Sequence, residues 1–257
     1  MRTPALARCP RTGPRTTLID MKKDVVVSVR DLRKAYGRKV AVDGISFDVV
    51  RGEVFGVLGP NGAGKSTTVE CAAGLREPDS GTVRVLGRNP ATDPSVRHRV
   101  GVQLQHAVLP SRMKVREAMQ MFASAYPRHA DTETLLADWG LAKHHGTAFA
   151  ALSGGQKQRL FIALALLGEP EVVVLDELTT GLDPAARRET WSLVRTLQAR
   201  GVSVLLVTHA MDEAEQLCDR LVVIAGGRVV AAGTPAELRG AHPNMESAYL
   251  SLTEEAA

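Results

Sequence analysis

The stretch 54-VFGVLGPNGAGKST-67 sets a short apolar run, 54-VFGVL-58, against a loop of three glycines, a proline, a lysine and two hydroxyls. The residues after it can be helical, so the loop joins a strand to a helix. Glycines at 59, 62 and 64 let the backbone turn successive N–H groups inward, and a helix opening near Lys65 adds the positive end of its dipole. Such a loop wraps phosphate. Across Gly59, Pro60, Asn61, Gly62, Ala63, Gly64, Lys65, Ser66 and Thr67, the expectation is that Lys65 reaches the β- and γ-phosphates of a nucleotide. Ser66 is then expected to ligate magnesium, with Thr67 supplying a further hydroxyl. A chance match to this spacing arises in about one chain of this length in a hundred, given the ordinary frequency of glycine.

A second element agrees independently. The run 172-VVVL-175 ends in Asp176 and Glu177, which places two carboxylates at the C-terminal end of a strand, where ligands bind in open α/β sheets. Asp176 fits the magnesium-holding role and Glu177 the residue that orients an attacking water. A buried structural acid pair is the competing reading, and it would need partners to offset desolvation.

The rest of the composition bounds the class. The chain has 257 residues, 44% hydrophobic and 23% charged, enough to bury a core. Its longest apolar runs, 160-LFIALALL-167 and 202-VSVLLV-207, fall far short of the roughly 20 residues that cross a bilayer. The net charge is +4, but residues 1–23 hold Arg2, Arg8, Arg11, Arg15, Lys22 and Lys23 against Asp20. That segment carries +5, and 4 − 5 leaves −1 on the remainder, so no nucleic-acid footprint is expected. Its proline and glycine mark residues 1–23 as a disordered basic extension. Cys9, Cys71 and Cys218 are far apart and in no CxxC spacing, which points to a reducing compartment without a metal framework. His144 and His145 read as solvated surface.

Along the chain, 25-VVVSV-29, 45-ISFDVV-50, 53-EVFGVL-58 and 82-TVRVL-86 read as early strands of antiparallel character, separated by glycine and aspartate turns. The alternation in 100-VGVQLQ-105 puts Val100, Val102 and Leu104 on one face and Gln103 and Gln105 on the other. Residues 113–141 read as two helices, the second capped at Asp131 or Thr132. Strand–helix alternation then returns: 172-VVVLD-176, a helix from Pro184 to about Arg200, 203-SVLLVTH-209, a helix near 211-MDEAEQLC-218, and strands 220-RLVVI-224 and 228-RVVAA-232. Apolar strands separated by helices predict a buried parallel sheet.

The run 152-LSGGQKQR-159, between the phosphate loop and the acid pair, resembles the signature motif of ATP-binding cassette (ABC) ATPases. With 59-GPNGAGKST-67, 176-DELTTGLDP-184 and His209, the resemblance covers about residues 25–240. A hydroxyl and two glycines opening a helix make a second anion site in a chain that already has one. In the family, each ATP lies between the phosphate loop of one subunit and the signature of the other in a head-to-tail dimer. By that resemblance Ser153, Gly154, Gly155 and Gln156 would contact ATP across the dimer, and Asp183 would act there too. Tyr36 would stack on adenine, Gln105 would sense magnesium and the γ-phosphate, and His209 would contact the γ-phosphate. Where the family usually has proline after the acid pair, this chain has Leu178, and the expectation is a looser segment between Glu177 and Asp183.

The resemblance implies an α/β P-loop NTPase of ABC type, with a mixed parallel core sheet, an N-terminal antiparallel β-subdomain and an inserted α-helical subdomain at about 106–168. The ATPase domain is expected over 24–245, followed by a C-terminal tail at 246–257. The implied function is that of the ATP-hydrolysing subunit of a membrane transporter. It would bind ATP and Mg2+, form a homodimer, and meet a separate transmembrane permease at the cytoplasmic face of the membrane. The single cassette and 100-VGVQLQHAVLPSRMKVREAM-119 are most similar to bacterial drug- or antibiotic-exporting ATPases. The alternatives are a soluble ABC ATPase, such as an iron–sulfur assembly component, and a nucleotide-binding regulator without turnover.

Overall fold

The computed structural model describes residues 24–105 and 107–254. The basic extension 1–23 lies outside them, as does Cys9. Strands β1 (Val25–Tyr36), β2 (Lys39–Val50) and β4 (Ser80–Val85) form an antiparallel sheet in the order β2-β1-β4. Buried and exposed residues alternate along β1 and β2, as expected of a sheet with one solvated face.

Strand β3 (Val54–Leu58) departs from the early-strand expectation. It leaves its sequence neighbours and lies inside a six-stranded sheet, parallel to β7 (Ser203–Thr208) on one side and β8 (Arg220–Ala225) on the other. All five of its residues are buried, and a strand apolar on both faces needs cover on both, which an outer antiparallel sheet does not supply. The full order is β5-β6-β7-β3-β8-β9, with β5 (Val100–Gln103) and β6 (Val172–Asp176) parallel to the centre and β9 (Arg228–Gly233) antiparallel at the edge.

The period of two splits this sheet between two cores. Val173, Leu175, Val204 and Leu206 face the side packed by helices, including Leu160, Val194 and Leu217. Val172, Val174, Leu205 and Val207 face the antiparallel sheet and α1 (Lys65–Ala72). The helical block holds α3 (Val115–Ala123), α4 (Thr132–Asp138) and α5 (Gly154–Leu166), after the single-turn α2 (Pro94–Arg97). Asp131 caps α4 by accepting from the Thr134 N–H at 2.8 Å, and Leu135, Leu136 and Trp139 are buried as their spacing predicts.

The second half adds α6 (Pro184–Ala199), α7 (Met211–Leu217), α8 (Pro235–Arg239) and α9 (Met245–Glu254). The stretch expected as a tail from 246 is mostly α9. Met245, Ala248 and Tyr249 are buried, and Met245 and Tyr249 join the core on the helical side, so burial of apolar surface extends the packed domain past residue 245. No helix among the described residues is long and apolar enough to cross a membrane.

Candidate functional site

Because β3, β5, β6 and β7 run parallel, their C-terminal ends share one edge of the sheet, and the loops that leave those ends converge there. After β3 comes the phosphate loop. A Cβ at Gly59 would collide with the Ile224 carbonyl, and one at Gly64 with the Ala41 carbonyl, so the loop is pressed between β8 and β2 where only glycine fits. Gly64, in the left-handed region at φ 99°, caps α1, which opens at Lys65. Lys65 is buried and its Nζ donates to the Pro60 carbonyl at 3.0 Å. Burial lowers its pKa, while the Glu177 and Asp176 carboxylates act in the opposite direction.

Asp176, the last residue of β6, is buried, and desolvation raises its pKa against the Ser66 hydroxyl and Lys65 beside it. Its Oδ1 is buried without a hydrogen bond among the described residues. A buried, unsatisfied carboxylate oxygen next to a hydroxyl and a lysine is chemically suited to a hard divalent cation.

Glu177 follows in a left-handed conformation, φ 52°, with its N–H donating to the Val207 carbonyl at 2.9 Å. Its Oε2 accepts from Gln105 Nε2 at 2.5 Å and from Thr180 Oγ1 at 3.3 Å. Its Oε1 lies 3.2 Å from Nδ1 of His209, the residue after β7. Gln103 and Gln105 therefore differ: Gln103 is buried and turns its amide onto the Leu104 carbonyl, whereas Gln105, beyond the strand end, reaches Glu177.

A cleft of about 330 Å³ runs along this edge. It is lined by Asn61, Gly62, Gly64, Lys65, Ser66 and Thr67 from the loop and the start of α1, by Gln105 and Glu177, and by Tyr36, Lys39 and Ala41 from β1 and β2. Tyr36, at the end of β1, is exposed, with the Arg76 guanidinium 5.3 Å from its ring centroid.

The signature residues are not among the cleft walls. Ser153 caps α5: its Oγ accepts from the Gln156 N–H at 3.3 Å, and Gln156 Oε1 accepts from the Ser153 N–H at 2.9 Å. Ser153 and Gly154 are exposed on the surface, with Gly155 and Gln156 half-buried. Asp183 also stands apart from the cleft, capping α6 by accepting from the Ala185 and Ala186 N–H groups at 2.9 and 3.0 Å. Those bonds, that of Ala186 first, lower its pKa.

Two expectations are corrected by packing. His144 is half-buried, with Nε2 3.1 Å from Gln156 Nε2, so it takes part in the cap of the signature helix. Leu178 is fully buried in the core on the helical side, so the segment it opens is anchored by apolar packing. Sequence reasoning also missed Thr180, Lys39 and Glu213. The hydroxyls of 176-DELTT-180 were the available signal for the first, whereas Glu213 carries none that separates it from other helical glutamates.

A family model described as ABC transporter matches residues 42–180, over half of the chain. Nod factor export ATP-binding protein I of Burkholderia lata is 45% identical over 215 residues, covering 81% of this chain and 71% of that protein. The chain belongs to the ABC transporter family. Nod factor export ATP-binding protein I of Mesorhizobium japonicum is 41% identical to this ABC ATPase over 250 residues, or 94% of this chain and 74% of that one. A solved ATP-binding subunit of an ABC transporter, 31% identical, superposes with a TM-score of 0.79 over 89% of this chain and 99% of its own. A nucleotide-free ATP-binding cassette, 23% identical, shares the fold with a TM-score of 0.77 over 88% of this chain and 95% of its own.

This ABC ATPase is thus an ATP-binding and ATP-hydrolysing subunit with the P-loop NTPase fold. The matched stretch contains Lys65, Ser153, Asp176 and Glu177, whereas Tyr36, Asp183 and His209 lie beyond its ends. Relatives named for export leave the soluble iron–sulfur alternative unfavoured.

Proposed function

We propose that this chain is the motor subunit of an exporter for a drug, an antibiotic or a similar compound, hydrolysing ATP in the cleft between the phosphate loop and Glu177. The observation that carries this reading is the placement of Glu177, held between Gln105, Thr180 and His209 in the cleft that Lys65 also lines. The loop amides and Lys65 bind the β- and γ-phosphates, and Tyr36 offers its ring to adenine. Ser66, Asp176 and Gln105 would hold Mg2+, which supplies positive charge to the β- and γ-oxygens. A single carboxylate with a hydroxyl and substrate phosphates is the usual way that ion is held. Glu177 orients the attacking water, and His209 fixes that carboxylate and meets the γ-phosphate.

Ser153, Gly154, Gly155, Gln156 and Asp183 sit away from the cleft, which accords with their serving the ATP of a second copy of the chain. In this reading ATP joins two subunits, and cleavage lets them part, a two-state switch biased by γ-phosphate contacts. The helical block at about 106–168 passes that motion to a separate permease, which holds the subunit at the cytoplasmic face of the membrane. Residues 24–245 with α9 form the ATPase domain, and residues 1–23 an extension to it.

The test is phosphate release by the purified chain with and without magnesium, followed by co-purification in detergent with a co-expressed polytopic membrane protein encoded beside it. Magnesium-dependent turnover and a stoichiometric complex are expected. Copurification with a soluble scaffold in place of the membrane protein would replace the transporter reading with the iron–sulfur one.

A further inference from the structure

The loop from Glu177 to Asp183 carries two of the proposed functional residues, and its backbone is strained where it starts. Glu177 is a non-glycine residue at φ 52°, a conformation that costs about 1–3 kcal/mol and persists only where the surroundings over-determine it. Two consecutive anchors come next in the chain. Leu178 is buried in the core, and Thr179, also buried, donates from Oγ1 to Oε1 of Glu213 at 2.8 Å. The same oxygen of Glu213 accepts from Nε1 of Trp191, on α6, at 3.1 Å. Thr179 is held at its other end as well, its carbonyl accepting from the Leu182 N–H at 3.1 Å, which closes the turn before Asp183.

Glu213 is itself 1% exposed, and it sits on the first turn of α7, four residues after His209. One carboxylate oxygen therefore joins three pieces: the loop of Glu177 and Asp183, the helix that Asp183 caps, and the helix after His209. Around it, Asp212 accepts from Arg187 of α6 at 2.7 Å and from the Glu213 N–H at 2.9 Å, so α6 and α7 are already fastened at the surface. A second, buried link between the same two helices adds little to holding them together. A buried carboxylate is costly unless its hydrogen bonds are made, and this one directs its bonds to the loop and to an indole.

We propose that Glu213 is a positioning residue for ATP hydrolysis, setting the backbone of Glu177 and Asp183 through the hydroxyl of Thr179. The inference rests on the proposed roles of Glu177 and Asp183. Thr179→Val keeps the shape of the side chain and removes the donor. Turnover is expected to fall about tenfold, the scale of a small misplacement of a reacting group. Magnesium-ATP affinity, measured by calorimetry, should stay within about twofold, because the phosphate loop is untouched.

Glu213→Gln keeps an acceptor oxygen for both donors and is expected to retain near-parental turnover, while Glu213→Leu loses it. Combining Thr179→Val with Glu213→Leu should cost no more than the larger single loss, since both break one link. If Glu213→Leu does not fold, Thr179→Val and Glu213→Gln still decide. Parental turnover in Thr179→Val, or a loss of affinity equal to the loss of turnover, would overturn the positioning role. Glu177→Gln is measured alongside: if it turns over ATP like the parent, the reading of Glu177 fails, whatever Thr179→Val does.

Discussion

Oε1 of Glu177 stands 3.2 Å from Nδ1 of His209 although the two residues are 32 positions apart, because β6 and β7 are adjacent and parallel and end at the same edge. His209 is 46% exposed at its side chain and Glu177 only 7%, so the histidine covers the carboxylate from the solvent side. Glu177→Gln keeps this packing and removes the charge. Hydrolysis is expected to slow by about a hundredfold or more, with ATP still bound. Size-exclusion chromatography with light scattering and ATP should then show a dimer; a monomer at saturating ATP would count against the two-subunit site.

Lys65→Ala removes a cation buried on the cleft wall beside Asp176 and Glu177. Turnover should vanish and ATP binding weaken, as followed by calorimetry with magnesium nucleotide. Unchanged turnover would refute the assignment of the phosphate loop.

Asp176 makes the protein's stability depend on pH in a defined direction. Its pKa is raised above the ordinary aspartate value, chiefly by desolvation, so the folded state holds this proton more tightly than the unfolded chain. The contribution is fully present below the unfolded pKa and is lost as pH rises through the folded one. Asp176→Asn cannot ionise. Its melting temperature relative to the parent, without nucleotide, should therefore climb as pH increases from about 4 towards neutrality. A difference that is flat with pH in differential scanning calorimetry would show that the carboxylate is not desolvated.

Leu178 is buried in the core, so it stabilises the loop that it was expected to loosen. Leu178→Ala should cost about 2–5 kcal/mol in urea unfolding, the range for large-to-small changes in a packed core. A cost near zero would return the segment to a loose surface loop.

The glycine loop, the acid pair and the helix that opens at the signature were legible because their geometry is local. Three glycines before Lys65 permit the tight backbone turn between a strand and a helix, and a hydroxyl followed by two glycines at 153–155 marks a helix start. The helices of 113–141 were legible too, from their apolar spacing and the Asp131 cap. The choice of sheet for β3 was not, since its partners lie about 150 residues away and an apolar pentapeptide suits either setting. For the same reason His144 read as solvent-exposed and the stretch from 246 as a tail, though His144 and Tyr249 of α9 find their partners only in the folded chain.

The sequence by itself determined a glycine-rich loop between a strand and a helix, a carboxylate pair at a strand end and an α/β alternation able to bury both faces of a sheet. Local backbone preference and the period of the apolar residues are enough to specify these. Tertiary structure alone decided that Gln105 meets Glu177 itself, that Leu178 is an anchor, and that Glu213 reaches Thr179. The two side-chain contacts span 72 and 34 residues of chain, and only the parallel register of β5, β6 and β7 brings their ends together.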